Sequence, residues 1–569
     1  MRVYLETFGC QMNELDSELV HSQLSSLGYQ FVDRPEEAQI VLYNTCSVRE
    51  QAEQKAYSRI GIIGQRKKAG ERLILGVIGC MAERDGIDMM RRHPQVDLLC
   101  GPAELDRLPQ LIDNARTATE AAERDAIESA DAAPTRPRGR VATPSPRTDR
   151  VALAGNKTRR TATLAAAEDN LEALDLSRSF QLSGEHARRR SAYVRITRGC
   201  NKFCTYCVVP HTRGAEVHRP PDHIVDECKK LVDAGAIEIT LLGQTVNHYR
   251  YTHGASVSVN GVELAQVGPG LSAFRASPSH GTAVPGRTGT SAAIEPGLAT
   301  GGAGSRVTTF ADLLARIHHE VPGLQRLRFV TSYPRDFGPD ILGVMRDCPH
   351  ICRYLHAPAQ SGSDRILKLM NRGYSVGEYL EFVHQALETL PDAAIAGDII
   401  VGFPTESDDD FRATVDLVRR VPFKNNFIFK YSPRPGTTAI DRFPDNVPDE
   451  VKRARNNALL AVQSEVSARV HASWVGRSVP VLFDDVRVFT APKSAQEPPR
   501  VELGWERKVQ PSDGATANST VQAVGRTPQD LIVAVDCTSE AAAQQLLGSI
   551  RQIQIKTSMP LLLRGSLTP

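Results

Sequence analysis

Apolar positions change their spacing three times along the chain. Over residues 1–112, short apolar runs at 2–8, 38–44 and 73–78 alternate with segments of helical period. In one of these, Leu15, Leu19, Leu24 and Leu27 share a face before Gly28 ends the pattern. That alternation predicts a parallel sheet with helical crossovers. It returns from residue 191, with strands expected at 192–197, 237–242, 326–331, 354–357, 394–401 and 426–431. Residues 450–472 read as helix. Beyond them, 478–488 and 549–556 alternate apolar and polar residues, as strands with one buried face do. The expected fold class is α/β. An N-terminal parallel-sheet domain takes 1–112, a central domain 190–443, a helical connector 444–472 and a small C-terminal β-barrel 473–569.

Three stretches lack the pattern. Residues 113–189 read as a disordered basic linker: between 134 and 160, eight arginines and lysines face one acid, Asp149. Residues 251–305, rich in Gly, Ser, Ala and Thr, read as a low-complexity insertion in a surface loop. A third loose stretch, about 491–520, interrupts the β-rich tail. Formal net charge is +2, so contact with a polyanion has to come from local patches. The chain opens on MRVYLETFGC, without the regions of a secretory signal, and no apolar run has the length of a membrane span. A cytoplasmic protein with reduced thiols and no membrane association is expected.

Eleven cysteines, an odd and sparse number, exclude a disulfide scaffold. Their placement then carries the candidate chemistry. Cys200, Cys204 and Cys207 sit together in RGCNKFCTYC, in a loop after an expected strand. A structural zinc site takes four ligands, and His211 would be the fourth. A four-iron cluster held by three thiols keeps one iron open, as a catalytic metal requires. Cys10, Cys46 and Cys80 each end an expected strand. In a parallel sheet these ends lie on one edge, so three distant thiols converge there. The alternative is three small apolar residues at strand ends. Cys100, Cys228 and Cys537 read as packing, and Cys348 and Cys352 carry no assignment. Arg198, Lys202 and Arg213 read as a solvated rim of the cysteine loop, and Phe203 and Tyr206 as its shield.

The Cys-x-x-x-Cys-x-x-Cys spacing resembles that of the radical S-adenosylmethionine enzymes. Two three-cysteine groups in this order, in TFGCQMNELDSE, NTCSVRE and RGCNKFCTYCVVPHTRG, resemble the methylthiotransferase branch. LLGQTVNHY, PAQSGSDRILKLMNRGY, DIIVGFPTE and YSPRPGT extend the likeness, and GCQMN and NTCSVRE point to its members acting on tRNA. The resemblance implies a partial (βα)6 barrel and a TRAM-like tail. It implies a transferase adding a methylthio group to carbon 2 of N6-isopentenyladenosine beside the anticodon. Two 4Fe-4S clusters and S-adenosyl-L-methionine are the implied cofactors. Cys10, Cys46 and Cys80 would hold the sulfur-donating cluster; Cys200, Cys204 and Cys207 would hold the radical-forming one. Gly243, Gln244, Ser361, Gly362 and Asp398 are the candidate S-adenosylmethionine contacts, and no catalytic residue is singled out. A tRNA anticodon stem-loop and a reducing electron donor are the expected partners of a monomer. The alternatives are a methylthiotransferase for threonylcarbamoyladenosine or a ribosomal-protein aspartate, and a non-catalytic metal-containing RNA-binding protein.

Overall fold

The computed structural model describes residues 1–48, 50–131, 148–154, 171–178, 190–254, 306–490 and 519–568, and three two-residue strands between 258 and 267. The first sheet has six strands, β1 (Arg2–Thr7), β2 (Gln30–Phe31), β3 (Ile40–Thr45), β4 (Ile74–Gly79), β5 (Leu98–Cys100) and β6 (Val151–Ala152). Their order is β2-β1-β3-β4-β5-β6, and every pairing is parallel. β3 and β4 are buried at every position. Helices cover both faces, which is why these strands read as continuous apolar runs. One face packs Val41, Tyr43 and Val77 against Ile60 and Ile63 of α2 (Glu50–Lys68). The other packs Leu42 and Ile78 against Val20 and Leu24 of α1 (Gln11–Ser26).

The reading of 113–189 as disordered needs correction at three places. The helix Leu108–Asp131 runs well past residue 113. Val151–Ala152 closes the sheet as β6. The helix Leu171–Ser177 buries Glu172 and Asp175 against Arg219 and Arg195 of the central domain. Its polar composition hides this, because its stabilising partners are buried arginines elsewhere in the sequence. The remainder, including most of the basic run, lies outside the described residues.

All six central strands form, as β7 (Ser191–Arg195), β8 (Glu238–Leu242), β9 (Arg326–Phe329), β10 (Tyr354–His356), β11 (Ala394–Val401) and β12 (Phe423–Lys430). They pair in sequence as two parallel three-stranded sheets, β7-β8-β9 and β10-β11-β12. A parallel bridge between Leu327 and Ile351 joins the two into a partial barrel. Arg250–Thr252 pairs with Val307–Thr309, so the insertion leaves and re-enters at one point. Residues 268–305 lie outside the described residues.

The tail is a closed barrel of β13 (Ser478–Thr490), β14 (Ser519–Arg526), β15 (Ile532–Cys537), β16 (Ile550–Met559) and β17 (Leu562–Leu567). Of the expected insertion at about 491–520, residues 491–518 lie outside the described residues, and Ser519 and Thr520 already belong to β14. This barrel docks on the amino-terminal ends of the central strands. Arg326 and Arg328, at the start of β9, donate to the carbonyls of Arg526 and Thr527 at 2.7 and 2.6 Å. Lys424, at the start of β12, pairs with Asp530 at 2.5 Å. The opposite, carboxyl edge faces the N-terminal domain, where Met12 and Leu15 of α1 pack on Leu242 of β8.

Candidate active site

The first three thiols are brought together by strand register. Thr7 lies opposite Asn44, and Thr45 opposite Gly79, so β1, β3 and β4 end level with one another. Cys10, Cys46 and Cys80 follow these ends. Two glycines let them close. Gly9 has φ +146°, and a Cβ there would meet the Cβ of Cys46 at 2.6 Å. Gly79 has φ +90°, and a Cβ there would meet Asn44 Oδ1 at 2.5 Å. No larger residue fits either place. Two fully buried amides then lock the edge. Asn13 Nδ2 donates to Asn44 Oδ1 at 2.9 Å and to the Thr45 carbonyl at 3.0 Å. Asn44 Nδ2 returns a bond to the Asn13 carbonyl at 2.8 Å. GCQMN and NTC are therefore two halves of one interlocking turn.

These thiols sense one another. A hydrogen bond from Cys46 holds Cys10 down at about 6 despite its burial, with help from the Arg213 guanidinium. Cys46 is pushed far up by that same pairing, and burial raises Cys80. Free of metal, this trio therefore favours one thiolate over three. Three buried thiolates require concentrated positive charge, which the irons of a cluster supply. The donor set fits.

The second trio comes from one loop. Cys207 N–H donates to the Cys204 carbonyl at 3.0 Å, turning the chain back on itself. Thr205 pins the turn to the helix Asp364–Leu369, donating from its backbone to Met370 O at 3.0 Å and from its hydroxyl to Leu369 O at 2.9 Å. Burial pushes Cys200 up to about 12 and raises Cys207 still further, with neighbouring thiols adding to both. These sulfurs also need a cationic partner to ionise, and the same cluster chemistry fits. All eleven cysteines are free thiols, and Cys100 and Cys228 lie in apolar cores as expected.

Arg372 is the functional candidate that sequence reading missed. It is buried, and its Nη1 lies 3.3 Å from Cys204 Sγ. Nη2 donates to Pro358 O at 3.2 Å, and the guanidinium stacks 4.7 Å from the centre of the Tyr333 ring. Its only signal was an arginine inside LMNRGY, with nothing to say that it faces a thiol.

The supposed solvated rim is buried instead. Arg198 and Lys202 are 6% and 4% exposed, and Lys202 pairs with Asp336 at 2.5 Å. Arg213 pairs with Asp16 of α1 at 2.7 Å, and its positive charge partly offsets the rise that burial imposes on the Cys80 thiol. Arg195 reaches the other oxygen of Asp16 at 3.4 Å. Asp16 thus joins two arginines of the central domain, six residues along from Cys10. The short helices Cys80–Asp85 and Val209–Thr212 pack together at the same boundary. The segment that follows the second trio therefore packs on the elements that carry Cys10 and Cys80, where the domains touch. Phe203 and Tyr206 part ways: Tyr206 packs inward beside Met370 and Phe403, while Phe203 is 53% exposed.

The five candidate cofactor contacts separate into two sets. Gly243 and Gln244 follow β8 and precede Thr245, whose Oγ1 lies 3.5 Å from Cys200 Sγ. A Cβ at Gly243 would meet Thr197 Oγ1 at 2.2 Å, so this loop closes directly on the cysteine loop. Asp398 shares a strand face with Ile400, which packs in the same cluster as Tyr206. Its carboxylate has a partner, His356 Nε2 at 3.5 Å. Ser361 and Gly362 are engaged elsewhere. Ser361 Oγ accepts from Ser363 N at 3.2 Å, and Gly362 N donates to Thr414 Oγ1 at 3.0 Å. A Cβ at Gly362 would meet Ala413 O at 2.4 Å. The close approach that this glycine permits is to the helix Asp408–Arg420.

One further ligand-like cluster lies nearby. Glu216, His218 and His248 are buried with ligand atoms within 4.8 Å of one another. Glu216 accepts from His248 Nδ1 at 2.7 Å. His218 Nδ1 faces the Arg250 N–H at 3.4 Å, which leaves the ring proton on Nε2, directed at Glu216 4.0 Å away. That tautomer leaves no lone pair on Nε2 for a metal, and the 4.0 Å gap to Glu216 is too long for a hydrogen bond.

Residues 194–418 match the Radical SAM superfamily, and residues 2–101 match the family described as Uncharacterized protein family UPF0004. Partial barrel, three-cysteine loop and sequence match together define a radical S-adenosylmethionine enzyme. Over 546 residues the chain is 37% identical to the tRNA-2-methylthio-N(6)-dimethylallyladenosine synthase of Rhodopirellula baltica, covering 95% of this chain and 91% of that one. The chain belongs to that family and is a transferase. Among solved structures, it is similar to the radical S-adenosylmethionine methyltransferase TsrM from Kitasatospora setae (TM-score 0.44, 14% identity, 77% of this chain and 76% of that one). It is also similar to the cobalamin-dependent S-adenosylmethionine radical enzyme OxsB (TM-score 0.41, 11% identity, 82% and 56%). No helix among the described residues is long and apolar enough to cross a membrane.

Proposed function

We propose that this chain adds a methylthio group to carbon 2 of N6-isopentenyladenosine beside the anticodon of tRNA. Two 4Fe-4S clusters and S-adenosylmethionine, when bound, supply the one-electron chemistry, the sulfur and the methyl group. The protein's own part is to hold, orient and insulate. Cys200, Cys204 and Cys207 hold one cluster, and Cys10, Cys46 and Cys80 hold the other. Three thiols in each group leave one iron for an outside ligand. Gly243, Gln244 and Asp398 would contact S-adenosylmethionine beside the cysteine loop. The packing of Met12 and Leu15 on Leu242 keeps water from the boundary between the trios.

The observation that carries this reading is the ion pair from Arg213 to Asp16 of α1, six residues along from Cys10. It ties the loop of one trio to the strand ends of the other, as a reaction needing both centres on one substrate atom requires. We assign the units 1–112, 190–443 and 473–569 to sulfur donation, radical formation and RNA contact, in a cytoplasmic monomer served by an electron donor. Nucleoside analysis of tRNA from cells lacking the protein tests the assignment. The methylthio-isopentenyladenosine signal should vanish, returning with the wild-type chain and not with Cys204→Ala. An unchanged signal would remove the assignment.

A further inference from the structure

The partial barrel has an open side lined by aromatic rings. Among the described residues, β7 pairs with β8 alone and β12 with β11 alone, so the barrel is open between β7 and β12. On β11, Ile399 and Val401 pack outward against Val418 of the helix Asp408–Arg420 and against Leu459 and Val466 of the helix Asp449–Ala472. Ile428 of β12 joins that cluster. Alternation along each strand therefore turns Asp398, Ile400, Phe427 and Phe429 to the inner face. Register sets Phe427 opposite Asp398 and Phe429 opposite Ile400. His356 of β10 reaches the same face, with its ring 6.4 Å from that of Phe427, edge to face, and its Nε2 3.5 Å from Asp398. Phe423, at the start of β12, is fully buried, yet Phe427 and Phe429 are each 40% exposed. Two residues apart, they lie about 7 Å from each other along the strand. They form an uncovered aromatic shelf at the mouth of the barrel.

We propose that Phe427 and Phe429 take the target base and its N6 isopentenyl tail, and so select the substrate; the inference rests on the reaction proposed above. An aromatic, apolar shelf suits a base drawn out of an RNA loop, which stacks on rings, and a branched hydrocarbon tail, which leaves water. The charged groups beside the rings, His356 and Asp398, offer no fixed cation. A substituent that carries a carboxylate, such as threonylcarbamoyl, is therefore disfavoured there. The position fits as well. Asp398 would contact S-adenosylmethionine, and neighbouring strands lie about 4.8 Å apart. A base held on Phe427 thus lies beside the cofactor that has to act on it.

The test is binding of two anticodon stem-loops to the reconstituted full-length protein, one with isopentenyladenosine and one with plain adenosine at the target position. The wild type should prefer the isopentenyl form. Phe427→Ala combined with Phe429→Ala should cut that preference about tenfold and raise KM for the isopentenyl stem-loop by a similar factor. Phe427→Tyr combined with Phe429→Tyr keeps both rings and should retain most of the preference. The Ala variant should bind S-adenosylmethionine with the wild-type Kd. Equal weakening of both stem-loops would overturn the proposal, because the rings would then be a general RNA contact. Weakened S-adenosylmethionine binding would overturn it too, by assigning the rings to the cofactor. A wild type that methylthiolates neither stem-loop would overturn the functional reading and this proposal together. A wild type that modifies the isopentenyl form, with an Ala variant that keeps the full preference, would overturn this proposal alone.

Discussion

The two cysteine trios present one donor set built by opposite means. Cys200, Cys204 and Cys207 lie within a single loop, pinned by bonds from Thr205 to Leu369 and Met370 at the end of the helix Asp364–Leu369. Cys10, Cys46 and Cys80 are assembled by a whole parallel sheet, from strands whose register the complete domain sets. The first trio is a local motif with local supports, so its thiols are close in any conformation of the loop. The second exists only while the sheet is folded. Loss of one thiol should therefore uncouple the two sites, whereas loss of their shared supports should damage the fold.

The largest expected effect tests that uncoupling. Cys204→Ala and Cys46→Ala should each lower anaerobically reconstituted iron from roughly eight to roughly four per chain. Their activities should differ. Cys204→Ala abolishes reductive cleavage of S-adenosylmethionine, while Cys46→Ala retains formation of 5′-deoxyadenosine and loses methylthio transfer. Iron analysis and chromatography of the cleavage product separate the two. If either variant lost all its iron, the division of ligands argued here would be wrong.

Next in size is the support that both trios share. Asp16 is buried and contacts Arg195 and Arg213, each also buried. Asp16→Ala removes the carboxylate that Arg213 pairs with at the domain boundary, while Arg195 keeps Asp175. Removing one partner of a buried pair costs about 3–5 kcal/mol. Urea unfolding of the iron-free chain should register a loss of that order. An exposed pair such as Arg91–Asp88 is the internal control, with a change of about 0–1 kcal/mol. A similar small change at Asp16 would mean that the bridge is decorative.

The same contrast explains what was legible in the sequence. All six central strands and the three cysteine-bearing strand ends could be read, because parallel strands buried on both faces leave continuous apolar runs. The thiol positions were legible for the same reason, as strand-end residues on one edge. Polar groups whose partners lie far along the chain were not legible. The helix Leu171–Ser177 looked like linker because Glu172 and Asp175 are satisfied by Arg219 and Arg195. Lys202 and Arg213 looked solvated because flanking residues do not reveal their distant partners, Asp336 for the one and Asp16 of the N-terminal domain for the other. Gly362 was read as making room for a cofactor, and it makes room for Ala413. In each case spacing gave the residue type correctly and left the neighbour unknown.

The smallest predicted effect concerns the arginine beside each trio. Arg372 directs Nη1 at Cys204 Sγ, whereas Arg213 pairs with Asp16 and acts on Cys80 only through its charge. A hydrogen bond from a charged donor contributes about 1.5–3 kcal/mol. It favours whichever state places more negative charge on the sulfur, which for a cluster is the reduced one. Arg372→Gln should therefore shift the midpoint of the radical-forming cluster to more negative potential, read from the reduced-state EPR signal in a redox titration. Iron content should hold near the wild-type value. Arg372→Lys keeps the charge without the two-pronged contact to Cys204 and Pro358, so it should recover only part of the shift. Arg213→Gln should leave that midpoint in place, because its contact is to the other trio. If Arg372→Gln lost iron and left the midpoint of the remaining clusters unchanged, the arginine would be a packing support for the loop, and the apparent symmetry between the trios would fail at this residue.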